Sequence, residues 1–299
     1  MKPAPFDYFA PKSLDEALSL LDQYGWEGKP IAGGQSLVPT MNFRLAAPTV
    51  LVDLNGIDEL FFVSPRGEGI AIGAMTRQRT VERSPLVAER APLIRETMPY
   101  IAHPQIRNRG TFGGSLAHAD PAAELPTLSV ALGARFRVQR KGGERWVEAP
   151  DFYVGLFATD LQPGELLTEI VIPPMPARTG YAFDEIARQH GNYAMAGAAA
   201  VVTLHEDGTV ADARLVFLSL GEGPEMAHQA QAALIGQAPT AQAIEAAAAI
   251  AAQEEIDPVS DIHASAAYRR HLAQVLAKRV LTKAAERAKS MLEIGRVRE

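Results

Sequence analysis

The chain has 299 residues, 47% apolar and 21% charged, with a net charge of −6; that is a globular composition with room for two domains, and a poor one for binding nucleic acid. It contains no cysteine, which excludes disulfides, thiolate zinc sites, cysteine nucleophiles and cysteine-held iron–sulfur clusters on this chain. Residues 1–7 lack the apolar core of a signal peptide, and no stretch is apolar over the length of a membrane helix, so a soluble cytoplasmic protein is expected.

In chain order, Ser13-Leu14-Asp15-Glu16 is a capping box opening a helix that carries Leu14, Ala17, Leu18 and Leu21 on one face and closes at Gly25. A short strand at 29–32 feeds the segment Ala32-Gly33-Gly34-Gln35-Ser36, and a turn or two of helix follows from Leu37 to Arg44. Residues 50–54 form a strand, and 61–63 and 70–72 form two more around the turn 65–69. Helices are expected near 76–84 and 86–98. A polar stretch, 103–110, then leads into a second glycine segment, Thr111-Phe112-Gly113-Gly114-Ser115. Asp120-Pro121 reads as an N-cap with proline at the first helical position. A hairpin over 135–139 and 145–148 turns at Gly142-Gly143, and 166–172 is a strand. Pro173-Pro174-Met175-Pro176 cannot continue a sheet and marks a domain boundary. Beyond it come strands at 181–187, 196–204 and 209–220, then helices near 225–235, 240–254 and 265–288, the order of a layered α+β domain.

The two double-glycine segments carry the chemistry. A single Gly-Gly pair is ordinarily a turn. Two of them, each followed by a small hydroxyl residue, expose consecutive backbone N–H groups that suit a pyrophosphate if they meet in space. Neither ends in the Lys-Ser/Thr of a Walker loop, and neither has the G-x-G-x-x-G pattern, so a nucleotide here is held by some other fold. His103 and His118 flank the second segment without a third metal ligand and read as structural or solvated histidines. Asp120 reads as a cap. Glu124, in the first helical turn, is favoured there by the helix dipole and is able to accept from a ligand hydroxyl. Arg107 and Arg109 are either phosphate contacts or surface charges. Tyr193, in the polar loop 188–194, is either a packing residue or a ring that stacks on a planar ligand.

Three stretches in order, Ala32 to Leu37, Ile106 to Ser115 and Ala119 to Pro126, resemble the FAD-binding medium subunit of molybdenum hydroxylases, and the likeness runs nearly end to end. The resemblance implies an α+β chain: a two-subdomain FAD-binding domain of the vanillyl-alcohol-oxidase type, near 1–55 and 56–172. A C-terminal domain near 177–288 follows, with a small antiparallel sheet and three helices. It implies that Ala32, Gly33, Gly34, Gln35, Ser36 and Leu37, with Thr111, Gly113, Gly114 and Ser115, contact the FAD pyrophosphate and neighbouring groups. Glu124 falls near the ribityl or ribose hydroxyls, Ile101 and Leu167 at apolar contacts, and Tyr193 at the isoalloxazine. Ser115, Asn192 and Glu185 depart from the family's frequent asparagine, aspartate and lysine. The last removes a basic group from that end of the flavin.

By the same resemblance, substrate is oxidised at a molybdopterin centre on a large subunit, and two iron–sulfur clusters on a small subunit relay electrons to FAD. The complex is expected to be a dimer of heterotrimers that passes electrons to an external acceptor. No residue of this chain then serves as a nucleophile or substrate base, and the lack of cysteine agrees with clusters held elsewhere. A self-sufficient flavin oxidoreductase of the same fold and a flavin-free assembly subunit are the alternatives.

Overall fold

In the computed structural model, which describes residues 2–298, three larger sheets follow one another along the chain, and a two-stranded ribbon pairs Tyr153–Gly155 with Ala158–Thr159. The first is small and parallel, with Asp7–Phe9 and Gly28–Ile31 on either side of Val50–Asp53. Helix Leu14–Tyr24 covers it with Ala17, Leu18 and Leu21. Ser13 Oγ accepts from the Glu16 N–H at 3.2 Å, as a capping box requires, but Glu16 reaches back one residue further, to the Lys12 N–H at 2.9 Å. Gly25, at φ 52°, ends the helix.

The second sheet is antiparallel and orders its strands Val63–Arg66, Gly69–Gly73, Leu166–Ile172, Arg135–Arg140 and Gly143–Glu148. The first of these starts where the sequence reading ends it, at Val63. Along the chain, a series of short helices connects Gly69–Gly73 to Arg135–Arg140. Two were expected over 76–98; there are three, Gln78–Arg83, Pro85–Arg90 and Pro92–Thr97, then a 3-10 turn over Met98–Tyr100. Pro92 brings no N–H to a continuing helix, and Ala91 before it leaves the helical region at φ −137°, ψ 57°.

The third sheet is an antiparallel meander of Thr179–Ala187, Ala194–Leu204, Val210–Leu218 and Glu225–Met226. Glu225 and Met226 pair with Phe217 and Val216, so the helix expected from 225 begins only at His228. Helices His228–Leu234, Ala241–Glu254 and Ala266–Arg298 cover the sheet. Small residues let the long helix sit directly on the strands: a Cβ at Gly180 would fall 2.0 Å from the Ala284 carbonyl oxygen. Buried Arg269 pins that helix to the sheet, donating to the Met195 carbonyl at 2.5 Å and the Ser219 carbonyl at 3.0 Å.

Helix Glu124–Ala131 joins the second and third sheets, and all eight of its residues are buried. The Thr127 hydroxyl donates to the Phe217 carbonyl at 3.4 Å, and the Ser219 N–H donates to the Pro121 carbonyl at 2.8 Å. One apolar cluster therefore runs through both, from Ile70 and Phe112 through Leu125 and Leu167 to Phe183 and Val216. At the periphery Arg287 bridges Glu96 at 3.0 Å and the Tyr181 carbonyl at 2.8 Å while lying over the Tyr181 ring. Among the described residues no helix is long and apolar enough to cross a membrane.

Candidate cofactor site

The two glycine segments meet. A Cβ on Gly33 would lie 2.3 Å from the Arg109 carbonyl oxygen and 2.8 Å from Gly110 Cα, so only glycine allows this backbone approach. On the other side, a Cβ on Gly114 would come within 3.3 Å of the Ala32 methyl. Side chains unmarked by any motif hold the junction. Arg77 donates to the Arg109 carbonyl at 2.6 Å and to Asn55 Oδ1, and Asn55 Nδ2 donates to the Ala32 carbonyl at 2.8 Å. Asp53 accepts from the Asn55 N–H at 2.9 Å and from the Tyr8 hydroxyl. Burial works to raise the Asp53 carboxyl, but these hydrogen bonds and the charge of Arg109 hold it below the usual carboxylate range. Asn55 follows a strand end in an Asx turn, a signal readable in sequence; Arg77 has none.

The segments differ in what they offer. The N–H groups of Gly33, Gly34, Gln35 and Ser36 have no partner among the described residues, and Gly34 turns at φ 72°. Helix Leu37–Asn42 begins immediately after, without a side-chain cap. This is a set of open donors at a positive helix end, suited to an anion. The second segment was expected to be a similar loop. It is instead the first turn of helix Phe112–His118, capped by Thr111. Its donors are spent: Phe112 on the Thr76 carbonyl, Gly113 on the Ala74 carbonyl, both at 2.9 Å, Gly114 on Thr111 Oγ1 at 3.0 Å and Ser115 on the Thr111 carbonyl at 3.3 Å. Gly113 is required because a Cβ would strike Ala74 at 2.5 Å. What this segment leaves unused is the half-buried Ser115 hydroxyl, which makes no hydrogen bond among the described residues; a Cβ on Gly114 would strike the capping Thr111 Oγ1 at 2.5 Å.

Two further expectations shift. Asp120 does not cap a helix: its Oδ1 accepts from the Ala122 N–H at 2.9 Å in an Asx turn, and the helix starts at Glu124 with Ala123 as its N-cap residue. Arg107 is neither a phosphate contact nor a surface charge. It is buried in helix Pro104–Arg109, paired with Glu82 at 3.0 Å, and donates to the Ile101 carbonyl at 2.7 Å. Arg109 remains exposed.

Ile101 and Leu167 are 7% and 3% exposed within the main core, so they can offer a ligand only backbone and methyl edges. The turn after Ile101 packs on the Tyr193 loop, where a Cβ at Gly191 would lie 2.5 Å from the His103 ring. Tyr193 itself is 72% exposed. Burial of part of the ring first, then the charges of Asp120 and Glu124, push its hydroxyl above the usual tyrosine range. His118, at the other end, rests on the Phe157 ring. Burial raises the Glu124 carboxyl, its own N–H opposes, Asp120 adds and Arg107 subtracts; the balance is about 7. A shallow cleft lined by Phe61, Arg77, Arg79 and Arg83 lies beside the junction, but residues 32–37 and 111–115 do not line it.

The open amides at a parallel sheet edge, with an exposed aromatic and a buried carboxyl beyond them, make a candidate anion cradle that has no Rossmann pattern. The chain belongs to the flavoprotein family of molybdenum-containing dehydrogenases, an oxidoreductase family: residues 4–175 match the FAD binding domain in molybdopterin dehydrogenase, and residues 181–284 match the CO dehydrogenase flavoprotein C-terminal domain. It is 44% identical to the 6-hydroxypseudooxynicotine dehydrogenase complex subunit alpha of Paenarthrobacter nicotinovorans, over 98% of this chain and 99% of that one. It is 40% identical to the carbon monoxide dehydrogenase medium chain of Afipia carboxidovorans, over 97% and 100%. Among solved structures it superposes on carbon monoxide dehydrogenase from Hydrogenophaga pseudoflava with a TM-score of 0.93 at 40% identity, covering 96% of this chain and 99% of that one.

Proposed function

We propose that this chain carries FAD as the electron-transfer subunit of a heteromeric molybdenum hydroxylase. In this reading it takes electrons from iron–sulfur clusters on a small partner subunit and passes them to an external acceptor, while a large subunit oxidises substrate at its molybdopterin. The expected assembly is a dimer of heterotrimers in the cytoplasm. The observation that carries the reading is the row of unpartnered amides from Gly33 to Ser36, held against the Arg109–Gly110 backbone by Arg77 and Asn55.

Those residues fit an FAD pyrophosphate. Ala32 to Leu37 supply donors without side-chain obstruction, Gly114 supplies close approach and Ser115 a hydroxyl. Thr111 and Gly113 act through shape, by capping and seating the helix that presents Ser115. Glu124 has a carboxyl able to accept from a ribityl or ribose hydroxyl, Ile101 and Leu167 form an apolar floor, and Tyr193 offers a ring face to the isoalloxazine. When bound, the flavin supplies the step between one-electron and two-electron carriers. The protein sets its position, solvent access and electrostatic surroundings. We divide the chain at 1–55, 56–172 and 177–288, one larger sheet to each part.

The test is the visible spectrum of the purified full chain and extraction of its flavin, with affinity capture of partners from a native extract. A yellow protein that releases FAD and captures a molybdenum-containing large chain is the expected result. A chain that binds no added FAD overturns the reading in favour of an assembly role, and a flavoprotein that oxidises substrate without partners overturns it in favour of a self-sufficient enzyme.

A further inference from the structure

Two carboxyl groups from different layers of the fold act on one another at the Tyr193 end of the site, and among the described residues neither is held in an ion pair. Glu124 opens helix Glu124–Ala131, is 9% exposed, and its carboxylate takes no hydrogen bond from any other described residue. Glu185 stands on strand Thr179–Ala187 opposite Gly197, where an added Cβ would come within 3.0 Å of Glu185 Cβ. The Glu185 Oε2 atom is sealed from solvent and has no hydrogen-bond partner among the described residues. The Thr127 hydroxyl donates to the Phe217 carbonyl and the Ser219 N–H donates to the Pro121 carbonyl, so the start of helix Glu124–Ala131 lies against the row Leu218, Gly197 and Glu185, and with no side chain on Gly197 between them the charge of Glu124 reaches Glu185.

The surrounding charges do not relieve the pair. Asp184, on the same strand as Glu185, adds negative charge and takes Arg279 of the long helix at 3.4 Å, while Arg269 of that helix is engaged by the Met195 and Ser219 carbonyls and by Asp261 at 2.6 Å. Asp120 faces Glu124 from the preceding turn. Arg107 also faces Glu124, but its guanidinium is spent on Glu82 and the Ile101 carbonyl. Tyr193 and Tyr100 present hydroxyls that feel these carboxylates; Glu96 adds to the field at Tyr100, and the His190 ring lies 6.5 Å from the Tyr100 ring. Two bare carboxylates in such a place repel and leave Oε2 orphaned. One shared proton removes a charge and turns an acceptor-only group into a donor.

We propose that Glu124 and Glu185 hold a single proton between them, forming a proton-binding site at the Tyr193 end of the cofactor groove whose occupancy follows the charge placed in that groove. Its second half rests on the flavin reading; the pair itself does not. Burial first, then the charges of Glu124 and Asp184, push Glu185 up to about 9, and Glu124 stands at about 7. Negative charge arriving in the groove draws a second proton from solvent onto Glu124, and positive charge releases one to solvent; no covalent bond is made to any ligand.

The test is an NMR titration of the full chain with carboxyl-labelled glutamate, in the wild type and in Glu124→Gln and Glu185→Gln. Two glutamates are expected to titrate well above the ordinary carboxylate range of about 4.3, and each substitution should lower the remaining midpoint by about one unit, a tenfold weaker hold on the proton. Ordinary midpoints, or midpoints that ignore the partner's loss, overturn the proposal. If the variants fail to fold, the wild type still decides. Groups raised in the folded state bind protons more tightly there than unfolded, so Tm must fall between about pH 7 and about pH 9; a flat or rising Tm overturns the pair. For the second half, spectroelectrochemistry of the FAD-loaded chain should show a bend in midpoint potential against pH that Glu185→Gln removes; identical curves overturn it. A chain that binds no FAD leaves the carboxyl titration intact, which separates failure of the flavin reading from failure of the pair.

Discussion

Replacing Gly33 by alanine puts a methyl carbon 2.3 Å from the Arg109 carbonyl oxygen, 2.9 Å from its carbonyl carbon and 2.8 Å from Gly110 Cα. Comfortable contact begins near ~3.5 Å, so the two segments must part by roughly 1 Å. Neither moves freely. The Gly110 N–H is held by Ile106 at 2.7 Å, its carbonyl by the Gln78 N–H at 2.9 Å, and the Arg109 carbonyl by Arg77 at 2.6 Å. Overpacking of this kind costs ~1–3 kcal/mol. Expressed in cofactor affinity, at ~1.4 kcal/mol per decade, that is a loss of between ~5-fold and ~150-fold. Quenching of flavin fluorescence on titration into the apo chain measures the affinity, and thermal unfolding runs in parallel. Gly34→Ala is the control. Its φ of 72° strains the backbone, but its nearest neighbour is the Val38 Cγ2 at 3.2 Å rather than the second segment. It should lose stability with a smaller loss of affinity. A Gly33→Ala chain that binds FAD and unfolds as the wild type does refutes the argument that this approach sets the cradle.

Three other substitutions probe different parts of the fold. Glu82→Gln leaves Arg107 buried without its counter-charge, since the two side chains are only 10% and 6% exposed, and should cost ~3–5 kcal/mol in denaturant unfolding. Burial works to raise Glu82, but hydrogen bonds from Arg79 and Arg107 hold it below the ordinary carboxylate range. Its contribution is therefore complete above the unfolded value and lost as pH falls through the depressed one, and the glutamine variant should show a shallower acid transition. Gly180→Ala drives a methyl to 2.0 Å from the Ala284 carbonyl and 2.5 Å from the Ala288 nitrogen, and should lower the urea midpoint by the equivalent of ~1–3 kcal/mol. Tyr193→Ala, at a side chain 72% exposed, should leave unfolding within ~0.5 kcal/mol while shifting the visible band of bound flavin. A changed stability with an unchanged spectrum would make Tyr193 a packing residue.

What could be read from the chain alone were features whose cause is local. Ser13, Gly25 and the prolines at 173–176 act through their own backbone, so the first helix and the break between the second and third sheets follow from neighbouring residues. The double glycines were legible because nothing else permits the approach that Gly33 and Gly113 make. The reading failed where a second element competed for the same groups. Thr111 to Ser115 look like a loop until the Ala74 and Thr76 carbonyls take up their N–H groups and a helix follows. Asp120 could cap a helix, but the chain closes an Asx turn there first. Only the folded chain brings Arg77 to Asn55 and Arg109, buries Arg107 against Glu82, and packs the helix of Glu124 on the sheet that carries Glu185. These partners lie far apart in sequence, and their energies come from desolvation and charge at a distance, which no short pattern of residues encodes.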